Sequence, residues 1–407
     1  MAHVCRRLSP LVAAAILFGL GASAVAATRA VTIGPSLTHK FVDSVSGTSI
    51  STIAVGDTVQ WTWASGFHST TSGPCGVTTC TADGKWDAGQ HSSPFSFSHT
   101  ATFATAGTYH YHCSVHLAMM QGDIVVVDPG PVPIIDAIDP SSGPAGGTTA
   151  VTITGTDFVA GATVTIGGVA ATGVLVQGST SIQAMTPALS PGTLADVVVT
   201  VHNPDVEMAT LIGGWFADFT DVPAADPFHD YVEKLVRNGV TAGCGSGAYC
   251  RDDSVTRAQM AVFLLKSKLG SAHVPPACTG LVFDDVPCTG GPFDPWIEEL
   301  ASLQVTGGCQ TVPVALYCPG NTVNRQQMAI FLLKAKLGSD HVPPACTGLV
   351  FDDVPCTGGP FDPWIEELAA DMVTGGCQTV PVPLYCPTDP NTRGQMAVFL
   401  VKNFNLP

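Results

Sequence analysis

A chain of 407 residues with 32 acidic and 16 basic side chains has a net charge of −16, which excludes nucleic acid and anionic lipid as long-range partners. Only 12% of its residues are charged, while 43 are Gly and 31 are Pro, a mixture that suits β-rich, loop-rich exported modules and argues against a helical enzyme. The length predicts roughly two to four domains with cores of their own.

The chain opens with Arg6 and Arg7, an apolar run from Leu11 to about Ala22, and the small residues ASAVAA. This reads as a secretory signal peptide over residues 1–27, cut near Ala26 or Ala27. The run is shorter than the roughly 20 apolar residues of a membrane span. Cys5 precedes the cleavage region, so a lipid anchor is not expected. The mature protein is therefore expected to be exported, to the periplasm or the cell surface, with no transmembrane segment.

Export decides how the cysteines read. The chain has 14 of them, and with Cys5 set aside twelve fall into close pairs: Cys75 with Cys80, Cys244 with Cys250, Cys278 with Cys288, Cys309 with Cys318, Cys346 with Cys356, and Cys377 with Cys386. An oxidising compartment turns such pairs into disulfides. Cys113 alone has no partner. A free thiol there is a liability unless something else holds its sulfur.

Residues 28–128 alternate apolar and polar positions, as in DTVQWTW and GTYHYHC, the pattern of a β-sandwich. Near its end the stretch YHYHCSVHLAMMQGDIVVV gathers Cys113, His116, Met119 and Met120 between two strand-like runs. Two imidazoles, a thiolate and a long axial thioether form the donor set that selects copper in electron-transfer sites. Cys113 and His116 supply the loop pair, Met119 or Met120 the thioether, and His68, in WTWASGFHST, the second imidazole. His39, His91, His99, His110 and His112 read as solvated or hydrogen-bonded side chains. Cys75 and Cys80 fit a disulfide trimming the loop after His68; a zinc site built on them is the alternative.

Thr108, Tyr109, Tyr111, Cys113, His116, Met120, Gly122 and the strand DIVVV resemble the end of a plastocyanin/amicyanin-type cupredoxin, T-Y-x-Y-x-C-x-x-H followed by M-x-G and a last apolar strand. The resemblance implies an all-β Greek-key sandwich holding one type 1 copper ion through His68, Cys113, His116 and Met120. Aligning on the glycine favours Met120 as axial ligand, with Met119 within reach.

After a break at Asp128–Pro133, residues 129–218 predict a second sandwich of short strands between Gly and Pro turns. Its order of pieces, I-x-x-I-x-P-x-S-G-P, G-G-T, G-x-x-F and G-A-x-V, resembles the IPT/TIG domain, an immunoglobulin-like fold. No cluster of His, Cys or paired carboxylates marks a site in it, and it reads as a spacer or packing module.

From Phe219 onward the chain repeats: residues 273–301 recur unchanged at 341–369, a period of 68, and a divergent copy begins at FTDVPAADPFHDYVEKL. Each unit predicts two helices and a disulfide-pinned loop. In the first unit Thr256 reads as an N-cap, Gly270 as a stop, and Met260, Phe263, Leu264 and Leu269 as core. The units resemble S-layer homology (SLH) domains, α-helical repeats at 219–270, 271–338 and 339–407. The resemblance implies attachment to a cell-envelope polysaccharide or peptidoglycan. The family's I-T-R-A-E motif stands here as Val255-Thr256-Arg257-Ala258-Gln259, Val323-Asn324-Arg325-Gln326-Gln327 and Asn391-Thr392-Arg393-Gly394-Gln395. Arg257, Arg325 and Arg393 are thereby the envelope-binding candidates, since a guanidinium suits an anionic sugar substituent. Gln replaces the acidic residue throughout. The other reading has each Arg pairing locally at a helix start.

Four metal donors leave no position for substrate, so a non-enzymatic electron-transfer protein is expected, with a redox partner the sequence does not name. The alternatives are a structural surface protein and an envelope copper buffer.

Overall fold

The structure, a computed structural model, describes residues 26–100, 103–128, 132–202 and 206–407. The expected signal peptide lies almost wholly outside the described residues. Two compact units form, one ending at residue 130 and the other comprising residues 131–202 and 206–407.

In the first unit, strands β1 (Thr28–Ile33), β2 (Phe41–Asp43), β3 (Ile50–Ala54), β4 (Thr58–Trp63), β5 (Phe67–His68), β6 (Thr71–Ser72), β7 (His91–Ser92), β8 (Ser96–His99), β9 (Gly107–Cys113) and β10 (Leu117–Val127) build a sandwich. One sheet has the order β2-β1-β4-β8, the other β3-β10-β9-β6, and β5 pairs with β7. Period-two alternation buries Val59, Trp61 and Trp63 from one sheet against Tyr111, Ile124 and Val126 from the other. Strands β9 and β10 are antiparallel, but the register slips: Cys113 faces Leu117, whereas His112 faces Gln121. The extra residues on β10 form a bulge, of the kind that re-aims side chains beside functional sites. Gly122 follows it because a Cβ there would stand 2.6 Å from the Tyr111 ring and 2.7 Å from Ser49 O.

The second unit begins with two further sheets, of four and five strands, enclosing Val151, Ile153, Val164, Ile182, Val197 and Trp215. Its last strand, Val206–Ala217, runs directly into the helical region, and Phe216 and Phe219 join the helical core. The helices are α1 (His229–Arg237), α2 (Arg257–Leu269), α3 (Asp294–Ser302), α4 (Arg325–Leu337), α5 (Asp362–Ala370) and α6 (Arg393–Phe404). They form three helix pairs closed into a ring: α2, α4 and α6 pack on one another, while α3 packs on α2, α5 on α4, and α1 on α6. Met260, Phe263 and Leu264 are buried, but Leu269 is 42% exposed, because the last residue of α2 points past its packed face.

The helix starts explain the departures from the repeat motif. Thr256, Asn324 and Thr392 are N-caps, and Gln259, Gln327 and Gln395 complete capping boxes by accepting the N-cap N–H. A neutral Gln carbonyl performs that task as well as a carboxylate. The arginines lie at the first helical position and turn into the next repeat. The Nε–H of Arg257 donates to Tyr317 O (2.7 Å), that of Arg325 to Tyr385 O (2.6 Å), and that of Arg393 to Tyr249 O (2.8 Å). Each guanidinium also lies 4.6 to 4.8 Å from the same tyrosine ring, within cation–π range. The tyrosine hydroxyl donates back to the arginine carbonyl. At the centre, Val255 N–H donates to Asn391 O, Asn391 N–H to Val323 O, and Val323 N–H to Val255 O, a closed three-membered cycle. The three arginines are 4%, 2% and 5% exposed, and their Nη2 atoms have no hydrogen-bond partner among the described residues.

Six disulfides, Cys75–Cys80, Cys244–Cys250, Cys278–Cys288, Cys309–Cys318, Cys346–Cys356 and Cys377–Cys386, close short loops. The five in the helical region each stay within one repeat.

The sandwich of the second unit is tied to α1. Arg237 donates to Gly213 O and Ser141 O, and buried His229 pairs with buried Asp218 at 2.9 Å. The Asp218 carboxylate, with help from Asp230 and against the effect of burial, holds the His229 pKa above its ordinary value. The pair therefore adds stability that is fully present below the unfolded value of about 6.5 and is lost as the pH rises through the higher folded value. The melting temperature of the second unit is expected to fall as the pH rises above about 6.5 and through the higher folded value, and His229→Gln to flatten that fall. An unchanged slope in the variant, followed by calorimetry, would show that the pair does not set it.

Candidate metal centre

Three elements bring the donors together. His68 ends β5, Cys113 ends β9, and His116 sits in the short turn that leads into β10. His68 and Cys113 are buried and His116 is half-buried. The Nδ1 atoms of His68 and His116 are 3.2 Å apart, and Cys113 Sγ lies 3.3 Å from His116 Nδ1 and 3.9 Å from His68 Nδ1. A polar strap holds the two loops in register: Ser114 N–H donates to Ser69 Oγ (2.7 Å), whose hydroxyl donates to Ser114 Oγ (2.9 Å). The Trp63 indole N–H donates to His68 O (3.0 Å), pinning the other side.

The electrostatics suit a cation. Ser69 N–H donates to Cys113 Sγ at 3.3 Å, so a backbone donor is aimed at the sulfur. Burial, and then the neighbouring imidazoles of His116 and His39, lower the His68 pKa; burial, and then His39, lower that of His116. Both rings are accordingly neutral near pH 7, which is the ligating state. The Ser65 carbonyl accepts a hydrogen bond from the His68 ring, and with Nδ1 turned toward Cys113 the donor is the opposite nitrogen. Such an outer bond fixes the tautomer that leaves Nδ1 free.

The donor spacing fits one ion. Three donors in a plane at about 2.0 to 2.3 Å from a metal stand about 3.5 to 3.8 Å apart, by the bond lengths imidazole and thiolate make to a first-row divalent ion. The observed separations of 3.2, 3.3 and 3.9 Å bracket that range. The two methionines of the bulge divide by burial: Met120 is 1% exposed and belongs to the same core as Cys113, whereas Met119 is 74% exposed.

Of the histidines read as bystanders, His91 bonds to Ala88 O, His110 to Asp123, and His112 to Gly73 O, while the His99 ring packs against Trp86. His112 also brings a ring nitrogen near Cys75 and Cys80, but those sulfurs are joined to each other. His39 is different. Its ring stacks on His116 with centroids 3.9 Å apart and planes at 22°. Nothing in the spacing of the sequence marks it, because it arrives from a loop 77 positions upstream of its neighbour.

Comparison with known proteins bears on this centre. The family model of copper binding proteins, plastocyanin/azurin family, matches residues 47–127. The first unit therefore carries a cupredoxin domain. Strands β5, β9 and β10 all fall within the matched residues. The IPT/TIG domain model matches residues 133–212, and the S-layer homology domain model matches residues 218–261, the first helix pair. Among solved structures, an oxidised amicyanin variant is 27% identical over 24% of this chain and 80% of its own, with a TM-score of 0.19. A novel purple cupredoxin from Nitrosopumilus maritimus is 24% identical over 25% of this chain and 99% of its own, also at 0.19. An auxiliary nutrient binding protein from Bacteroides thetaiotaomicron is 20% identical over 22% of each chain, at 0.19. No curated protein matches the chain. The cupredoxin and SLH matches together support a copper-binding protein anchored at the cell envelope. No described helix is long and apolar enough to cross a membrane.

The buried thioether yields a prediction about the cupredoxin domain. Met120→Leu is expected to raise the reduction potential of the copper-loaded protein, because a weak donor to the oxidised ion is lost, and Met119→Leu to leave it unchanged. Voltammetry of the two variants decides between them; the reverse pattern would transfer the axial role to Met119.

Proposed function

We propose that the chain is an exported type 1 copper electron-transfer protein, with no enzymatic turnover of its own, held at the cell envelope by three C-terminal SLH repeats. The observation that carries this reading is the convergence of the His68 and His116 imidazoles and the buried Cys113 sulfur within 3.9 Å of one another, in a domain whose core also holds Met120. In this reading His68, Cys113, His116 and Met120 would hold the ion. A single bound copper ion would supply a one-electron carrier. Four protein donors leave no coordination position open, which speaks against substrate activation at the centre. The preformed strap of Ser69 and Ser114 keeps the donors in one arrangement, as reversible redox cycling requires.

Electrons would leave through the half-buried His116 edge. Exposed Val115 and Leu117 flank it in sequence, Phe67 flanks His68, and Met119 lies on the same bulge. An apolar rim of this kind suits brief docking of a redox partner, since little polar surface has to be desolvated.

We divide the mature chain into a Greek-key cupredoxin domain (28–128), an IPT/TIG domain (129–218) and SLH repeats at 219–270, 271–338 and 339–407. The second and third helix pairs share the capping box and the arginine–tyrosine contact of the first, which supports the same assignment for all three. Burial limits the arginines to a ligand that reaches them through a groove. Arg325 lines one of about 250 Å³, together with Phe228, Thr374, Gln395 and Lys402. Its unpartnered Nη2 and the Lys402 ammonium would bind an anionic group on an envelope polysaccharide.

The test uses the copper-loaded full chain. It should sediment with purified cell walls and, while bound, be bleached by a one-electron reductant and recoloured by an oxidant without loss of copper to a chelator. Lys402→Glu, an exposed change, should lower retention about tenfold, the loss of roughly one salt-bridge-strength contact. Copper loss on every reduction would favour buffering, and equal retention of the variant would remove the groove from the account.

A further inference from the structure

His39 lies outside the expected ligand set, yet the chain goes to some length to fix it. The segment between β1 and β2 leaves the sandwich at Gly34 and returns at Lys40, closed by Gly34 N–H donating to Lys40 O at 2.9 Å. Leu37 N–H donates to Ser65 Oγ at 2.9 Å, and the Ser65 hydroxyl donates to Gly34 O. Gly34 has φ 62, and a Cβ on it would collide with Ser65 O and stand 2.6 Å from His68 Nε2. The loop thus rests its glycine on one imidazole of the centre and stacks the exposed His39 ring on the other.

His116 needs such a support. Cys113 is wholly buried and His68 nearly so, but His116 stands on a three-residue turn at the surface. Its Nδ1 points at Cys113 and His68. Among the described residues this ring makes no hydrogen bond other than those to the two neighbouring donors, whereas the His68 ring is also held by Ser65. The face contact with His39 therefore takes the place of the outer hydrogen bond that ordinarily orients a ligating imidazole.

We propose that His39 is a positioning residue for the copper centre: by stacking on His116 it holds that imidazole in its ligating orientation and so slows copper release and lowers the reduction potential. The inference rests on the copper reading above. A loosened imidazole costs the oxidised ion more than the reduced one, which tolerates fewer donors, so freeing His116 favours the reduced state.

The experiment compares wild type, His39→Ala and His39→Phe, each as the copper-loaded full chain. Transfer of copper to a chelator and the reduction potential are both recorded, at one fixed pH for all three proteins. An aromatic stack of this kind corresponds to about a two- to tenfold effect. His39→Ala is expected to release copper faster by that factor and to have a raised potential. His39→Phe, which restores a stacked ring without a nitrogen donor, is expected to return both values toward wild type. Wild-type release and potential in His39→Ala would overturn the positioning role, as would failure of His39→Phe to rescue. A wild-type protein that takes up copper without an intense visible band would instead remove the copper reading itself.

Discussion

A thiol without a partner cysteine, buried at the end of strand β9, must be met by donors that its own strand cannot supply. That requirement organises the first unit. His68 has to reach the thiol from β5 on the far loop, and His116 from the turn three residues on. The serine strap fixes both loops, and the bulge in β10 turns Met120 inward while Met119 faces water. The core of Trp61, Trp63 and Tyr111 lies directly beneath, so the donors are held by packing that exists without any ion.

The second unit obeys a different constraint. Each helix pair is too small to bury its own apolar face, and the three close into a ring in which the first helix of one pair covers the second helix of another. Arg257, Arg325 and Arg393 are the fasteners of that ring, spanning from one repeat to the tyrosine of the next. A buried cation is costly unless it is paired, and here a carbonyl and a tyrosine face share the guanidinium while Nη2 is left over. The fastening uses Nε and the ring face, and Arg325 also lines a groove, so fastening and the proposed ligand binding can share one residue.

Local signals carried much of this into the sequence. Alternation in DTVQWTW announced the buried Val59, Trp61 and Trp63, the cysteine spacing matched the six bonded pairs, and Thr256 read as the cap of α2 because capping is decided within four positions. What the sequence did not disclose depends on long-range closure. His39 reads as a solvated histidine until the loop from Gly34 to Lys40 is seen to fold over the centre. The arginines look like surface groups until the ring of repeats encloses them. Leu269 fits the helical stripe, yet as the last residue of α2 it stands past the packed face. The capping role of Gln259, Gln327 and Gln395 was also hidden, because the eye goes to the missing charge and not to the carbonyl that remains.

The copper centre is the claim on which the rest of the functional account stands. Its most direct test is the combined absorption and electron paramagnetic resonance spectrum of the copper-loaded full chain beside Cys113→Ser. The account predicts an intense visible thiolate-to-copper band with the narrow hyperfine splitting of a type 1 site, both absent from the variant. A colourless wild type, or a variant that keeps the band, would contradict it.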